Sequence, residues 1–171
     1  TTYCFRVSDQ GNELRNYDIY AEGTVSADID VSAVGSQTAS LDVGTTTAYV
    51  GGTFVVSRAG GSRTLTDITI TETGTVDATN LTNPTLYYDL DTSDPYDCAS
   101  ESYQSSDSKL TGSAFSGANG STTFSGSLTV SDTQSFCGYV VVDVSNDTAD
   151  SQTVNMTIQN PSIDVVVTSS S

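Results

Sequence analysis

The chain has 171 residues and a formal net charge of −16 at pH 7, with 5 Lys and Arg against 21 Asp and Glu, and it contains no His. Nucleic acids and anionic membrane surfaces both select clustered Lys and Arg, so this composition argues against either partner. Without His the chain lacks the usual neutral-pH general base and the commonest transition-metal ligand. We therefore expect a protein that is not an enzyme and has no catalytic residues.

Ser and Thr make up roughly a third of the chain, far above their ordinary share in globular domains. Hydrophobic residues are 36% of the chain and occur in short alternating runs of β-forming types. This pattern favours a thin β-sandwich with polar outer faces. The longest apolar run, Tyr139 to Val142, is far shorter than the ~20 apolar residues of a membrane span, so no membrane insertion is expected.

The first predicted strand, Thr2 to Val7, alternates between a face with Cys4 and Arg6 and an apolar face with Tyr3, Phe5 and Val7. Ser8 to Asn12 is a turn signal, and a second strand follows from Leu14 to Tyr20. The domain boundary is predicted after this hairpin. Residues 1–22 then form an N-terminal extension, and residues 23–171 form the sandwich.

Further strands are predicted along the rest of the chain, separated by Gly-, Asn-, Asp- and Ser-rich turns. They cover Thr24–Val34, Ala39–Val43, Ala48–Arg58, Leu65–Thr71, Leu86–Leu90, Phe124–Val130, Phe136–Val144, Val154–Ile158 and Ile163–Val167. Gly51-Gly52 indicates a bulge or a close backbone approach, and Ala59 to Ser62 is predicted to be a hairpin turn. The spacing predicts an all-β sandwich of roughly ten strands.

The chain has three cysteines. We expect a disulfide between Cys98, in a polar loop, and Cys137, on the most apolar strand, because a secreted domain with a small core gains about 3 kcal/mol from closing such a loop. Cys4 is then the odd cysteine. It is either a small buried hydrophobic residue, a partner in an intermolecular disulfide, or an exchange partner of the other two cysteines.

The loop after Leu86–Leu90 is rich in carboxylates and in Ser and Thr oxygens, which are the ligands that Ca²⁺ prefers. A structural calcium site is one interpretation, with Asp89, Asp91, Asp94 and Asp97 as ligands. The alternative is a solvated acidic loop built from Asx-turns. Tyr87, Tyr88, Tyr96 and Tyr103 surround the loop and could stack on a sugar, but adjacent Tyr87 and Tyr88 point to opposite faces of a strand, so one is expected in the core.

Four sequons mark candidate glycosylation sites, and their use would depend on the host's machinery. Their asparagines are Asn80, Asn119, Asn146 and Asn155.

The opening segment, Thr2-Tyr3-Cys4-Phe5-Arg6-Val7-Ser8-Asp9-Gln10-Gly11, resembles the F strand of fibronectin type III and related immunoglobulin-like sandwiches, in which Tyr-x-Phe-Arg-Val leads into a turn. The resemblance implies an immunoglobulin-like sandwich. In that family this strand lies near the end of the domain, whereas here it opens the chain. Its position implies a strand that completes another domain, such as that of the neighbouring subunit.

Most of the sequence from Val43 to Thr168 resembles β-sandwich modules in surface proteins of ultra-small bacteria of the candidate phyla radiation. The segments that carry this resemblance are Asp67–Asp77, Leu86–Ser93, Pro95–Tyr103 and Phe136–Val144. It implies a secreted or cell-surface location and offers no catalytic motif.

An exposed strand with three large apolar side chains is an aggregation hazard unless it is paired. Insertion into a neighbour's open sandwich would bury them and fix the register through main-chain hydrogen bonds. Because such a contact is head-to-tail, it generates a filament of identical subunits unless it closes into a ring. The leading hypothesis is therefore an extracellular, pilus-like structural subunit that polymerises by N-terminal strand donation.

Three alternatives remain open at this point. The C-terminal run of Ile163, Val165 and Val167 is either a rival donor or a wall of the acceptor groove. The protein could instead be a Ca²⁺-dependent adhesion or carbohydrate-binding module that uses the loop from Asp89 to Tyr103. It could also be a stalk or surface-layer fragment whose first hairpin closes its own sandwich.

Overall fold

The computed structural model describes residues 29–117 and 119–169. The described residues form two antiparallel sheets with ten strands in all, packed face to face, which confirms the predicted all-β sandwich. The N-terminal extension, residues 1–22, lies outside the described residues, as do Tyr3, Phe5, Val7 and Cys4. The division at residue 22 therefore stays a prediction.

The strands are, in chain order, β1 (Asp30–Gln37), β2 (Ala48–Tyr49), β3 (Gly51–Ser57), β4 (Ser62–Glu72), β5 (Leu81–Asp91), β6 (Ser108–Thr111), β7 (Ser121–Ser131), β8 (Ser135–Val144), β9 (Met156–Thr157) and β10 (Val165–Ser169). The larger sheet has the order β1-β3-β8-β5-β6, with β2 also paired to β8. The smaller sheet has the order β10-β4-β7, with β9 also paired to β4. One helical turn, α1 (Pro161–Asp164), precedes β10, and no helix in the described ranges is long and apolar enough to cross a membrane.

Strand β8 organises the interior because both of its faces are covered. Phe136, Val140 and Val142 point between the sheets into the main core. The alternate residues Cys137, Tyr139 and Val141 point outward into a second apolar cluster. Coverage on both faces explains why the strand is continuously apolar rather than alternating.

The glycine pair after Val50 breaks one predicted strand into β2 and β3. Gly51 and Gly52 have φ angles of 85° and 72°, a conformation that side chains other than glycine adopt only at a cost. A Cβ added at Gly51 would also collide with the backbone nitrogen of Thr38. The register between β1 and β3 also shifts opposite this pair, between Val34 and Gln37. The predicted bulge or close backbone approach is therefore confirmed.

Two predicted elements are wrong. Ala59 to Ser62 does not close a hairpin, because β3 already pairs with β1 and β8 on its two sides and leaves no edge for β4. The turn instead carries the chain from one sheet to the other. Ala39 to Val43 is a loop rather than a strand, and its alternation does not bury Val43, which is 40% exposed.

Candidate functional site

The connection between β5 and β6, residues 92–107, folds over the outer face of the larger sheet, and we call it the disulfide loop. Cys98 and Cys137 are bonded, with Cα atoms 5.7 Å apart and 39 positions between them in sequence. The predicted disulfide is confirmed. It attaches the middle of the loop to the central strand β8.

Two of the four proposed calcium ligands hold the backbone of this loop instead of projecting together. The carboxylate of Asp91, which is 1% exposed, accepts hydrogen bonds from the backbone N–H of Ser93 at 2.9 Å and of Cys98 at 2.9 Å. Asp97 accepts one from Ala99 N–H at 3.0 Å. The contacts of Asp91 with Ser93 and of Asp97 with Ala99 are the Asx-turns of the alternative interpretation.

The described residues contain no group of three or more His, Cys, Asp or Glu side chains placed to hold a metal ion. Asp94 is exposed in the loop, and Asp89 is half-buried on β5. The calcium site at Asp89, Asp91, Asp94 and Asp97 stays a prediction.

Four tyrosines meet beneath the disulfide loop. The ring of Tyr103, from the loop, lies 4.8 Å from that of Tyr49 and 5.2 Å from that of Tyr87, centroid to centroid. Tyr139 is fully buried and contacts both Tyr49 and Tyr103. Tyr88 points the other way and stacks on Phe136 in the main core, so the prediction that adjacent Tyr87 and Tyr88 point to opposite faces is confirmed.

The sequence reasoning missed Tyr49 and Tyr139 as members of this cluster. One signal was available for each residue. Tyr139 lies two residues after Cys137 on the same strand and therefore points to the same face, and Tyr49 of β2 lies directly opposite Val141, which also points to that face. The signal for Tyr49 depends on which strands pair, and the sequence alone does not give the strand pairing.

Carboxylates beside the tyrosines make this face electrostatically unfavourable for further negative charge. Burial raises the pKa of Asp89 and the Asp107 carboxylate raises it further, while a long hydrogen bond from the Tyr139 hydroxyl, at 3.5 Å, lowers it. Burial likewise raises the pKa of Glu101, with added repulsion from neighbouring carboxylates. A depression of about 670 Å³ adjoins the cluster and is lined in part by Tyr49, Tyr103, Glu101 and Ser102.

One long side of the sandwich is bridged. Strand β6 at the edge of the larger sheet lies against β7 at the edge of the smaller sheet, and Gly112 forms an isolated bridge to Phe124. The missing side chain of Gly112 permits this approach, because a Cβ there would press on the Phe124 ring. The sheets are therefore joined on this side.

The opposite long side is the open edge, which we define as the space between β1 and β10. Within the described ranges, no strand pairs with the outer edge of either. Along the inner face of β1, Ile29 and Val31 are only half-buried and Ala33 is exposed. A cavity of about 140 Å³ lies beside Ala33, and its wall includes Phe54, Val140 and Met156.

The side-chain amide of Gln37 closes one end of the open edge. Its Oε1 accepts from the backbone N–H of Met156 at 3.1 Å, and its Nε2 donates to the Met156 carbonyl at 3.1 Å. This paired contact joins the last residue of β1 to β9 of the other sheet, so the side chain acts as a clamp between the sheets.

The C-terminal run forms a wall of the open edge. Val165 and Val167 pack into the main core from β10, which pairs with β4 of the same chain. This pairing within the chain fits the interpretation of the run as a wall of the groove, and its role as a rival donor stays a prediction. Ile163 lies in α1 and is 68% exposed.

The four sequon asparagines all lie at one end of the sandwich, next to the ends of β4 and β8 and the starts of β5, β7 and β9. Asn119 and Asn146 are exposed in turns, and Asn80 is half-buried. Asn155 is already engaged, since its Nδ2 donates to Thr73 Oγ1 at 2.8 Å and its Oδ1 accepts from Gln37 at 2.9 Å.

Comparison with protein-family models, curated proteins and solved structures found no match for this chain. The fold and the site define a two-sheet β-sandwich with one bridged side, one open edge and a disulfide-held loop.

Proposed function

We propose that the protein is an extracellular structural subunit that polymerises head-to-tail into a pilus-like filament by donating its N-terminal strand to the neighbouring subunit. The observation that carries the proposal is the open edge. Inward-facing Ile29, Val31 and Ala33 lie beside a strand edge that no described residue covers. Uncovered strand edges are sites of strand addition, and natural proteins pair or protect them.

The apolar face of the proposed donor supplies a large part of the free energy that assembly needs. Burying Tyr3, Phe5 and Val7 contributes roughly 1.5–3 kcal/mol for each side chain, before the main-chain hydrogen bonds of the added strand. Ordering the segment opposes this gain with a cost in backbone entropy of about 1–2 kcal/mol per residue. Association is favourable when the new hydrogen bonds and side-chain contacts together exceed that cost.

Charge supports the choice of this segment. The chain carries a formal charge of −16, which makes non-specific contact between subunits repulsive. Thr1 to Ser8 contains Arg6 and no carboxylate, so it approaches an acidic neighbour without that penalty. The disulfide between Cys98 and Cys137 fits an oxidising, extracellular compartment.

The test compares the full chain with a variant in which Tyr3, Phe5 and Val7 are all replaced by Ser. We expect the full chain to form filaments in negative-stain micrographs and the variant to remain monomeric in size-exclusion chromatography. A matched control changes the side chains on the other face of the same strand, with Cys4→Ser and Arg6→Ser, and this variant should still assemble. Equal polymerisation of the apolar-face variant and the full chain would refute strand donation.

A second candidate function is a saccharide-binding surface module. The depression beside the tyrosine cluster favours it, because the Tyr49 and Tyr103 rings lie next to Glu101 in an open hollow, and aromatic faces with a nearby carboxylate suit sugar rings. Calorimetry with glycans, with and without Ca²⁺, tests this function against a Tyr103→Ser variant. Absence of heat from every glycan eliminates it.

A further inference from the structure

We infer that the donor strand of a second copy lies beside β1, antiparallel to it, with the Phe5 side chain filling the cavity next to Ala33. This inference rests on the proposed function and specifies where the strand binds and in which register. Pairing with β1 would extend the larger sheet across the open edge and place the donor opposite β10.

The cavity has room for an aromatic ring. Its volume of about 140 Å³ is close to the 150 Å³ cavity that accommodates a benzene molecule in a protein core. Phe54, Val140 and Met156 offer it apolar surface. Phe5 suits this site better than Tyr3, because a buried phenol hydroxyl needs a hydrogen-bond partner.

The side chains of β1 favour the antiparallel direction. With Phe5 opposite Ala33, an antiparallel donor places Val7 beside Val31 and brings Tyr3 to Gly35, where φ is 73° and the register of β1 with β3 begins to shift. Same-face neighbours on adjacent strands contact each other directly, so this register sets the bulky Tyr3 against a residue without a side chain. Every paired strand among the described residues is also antiparallel.

The same register places Cys4 on the outer face, opposite Val34. Val34 and Ser32 both point outward from β1, since they pair with Thr53 and with outward-facing Val55 on β3. Directly opposed residues on adjacent strands have Cβ atoms about 4.5–5.5 Å apart, and diagonal ones about 7–8 Å. A disulfide requires the shorter separation.

The experiment introduces Val34→Cys into the otherwise unchanged chain, allows assembly, and oxidises the filaments under mild conditions. We expect a ladder of disulfide-linked multimers on a non-reducing denaturing gel, and peptide mapping that joins Cys4 to position 34. The matched control is Ser32→Cys, two residues away on the same face, which should give at least tenfold less crosslinked product. Phe5→Ala should lower the yield of filament with the fold of the monomer unchanged by circular dichroism.

The outcomes separate this inference from the proposed function. Filaments that depend on Tyr3, Phe5 and Val7 but give no crosslink at position 34 would overturn the binding site and leave strand donation standing. A preferred crosslink at position 32 would overturn the antiparallel register. A crosslink found only within monomers would show that the strand fills its own sandwich, and it would overturn the assignment to a second copy. A chain that never polymerises would refute the proposed function itself.

Discussion

Opening the bond between Cys98 and Cys137 is the most quantitative test of how the disulfide loop is held. The closed loop spans 39 residue positions. In the chain-entropy model, crosslinking a loop of about this length removes unfolded-state entropy worth about 4 kcal/mol at 25 °C. The double variant Cys98→Ala and Cys137→Ala should therefore lower the free energy of unfolding by about that amount.

The assay is urea denaturation followed by tyrosine fluorescence, in a Cys4→Ser background that prevents thiol exchange. With a slope of about 2 kcal/mol per molar urea, the loss shifts the midpoint by roughly 2 M. Both cysteines are buried, so reduction of the unaltered disulfide in denaturant, followed by refolding without oxidant, gives a second measurement free of side-chain deletion. A difference below about 1 kcal/mol in both measurements would refute the argument from loop closure.

The loop should also respond to pH, because Asp89 and Glu101 both have a raised pKa in the folded state. A carboxyl whose pKa is raised in the folded state is protonated more readily there than in the unfolded chain, so the contribution of these two groups to stability increases as pH falls from neutral toward their ordinary titration range. Urea midpoints at pH 7 and pH 5 measure the change, and the double variant Asp89→Asn and Glu101→Gln should reduce it. Gly51→Ala should destabilise the sandwich by more than about 2 kcal/mol, since φ is positive and the Cβ meets the Thr38 backbone. Gly60→Ala, at an open position, should change stability by less than about 0.5 kcal/mol, and thermal unfolding of the two variants gives the comparison.

Local sequence patterns were sufficient to predict the structure where one segment determines its own conformation. The apolar run from Phe136 to Val144 predicted β8, and the Gly51-Gly52 pair predicted the close backbone approach that the structure shows to Thr38. The disulfide followed from compartment and loop length together, without any knowledge of the fold. In each case the deciding information lies within a few residues or in the cysteine count.

Prediction failed where the outcome depends on which edges of a strand are already paired. The turn at Ala59 to Ser62 has the composition of a hairpin, yet β3 has no free edge to accept β4. The clamp formed by Gln37 on Met156 joins residues more than a hundred positions apart and leaves no local signature. The prediction of the tyrosine cluster was incomplete for the same reason, because the position of Tyr49 depends on which strands pair.

The difference between the two long sides of the sandwich determines where another strand can be added. The bridge from Gly112 to Phe124 occupies one side, so extension of a sheet is directed to the edge of β1. That edge ends at the Gln37 clamp, which lies at the same end of the sandwich as the sequon residue Asn155. An N-linked glycan is attached through the side-chain Nδ2. In Asn155 this atom already donates to Thr73 Oγ1 beside the clamp, so a glycan there would compete with that hydrogen bond, whereas Asn119 and Asn146 lie exposed in turns away from the clamp. If both glycosylation and strand donation occur, occupancy should therefore favour Asn119 and Asn146.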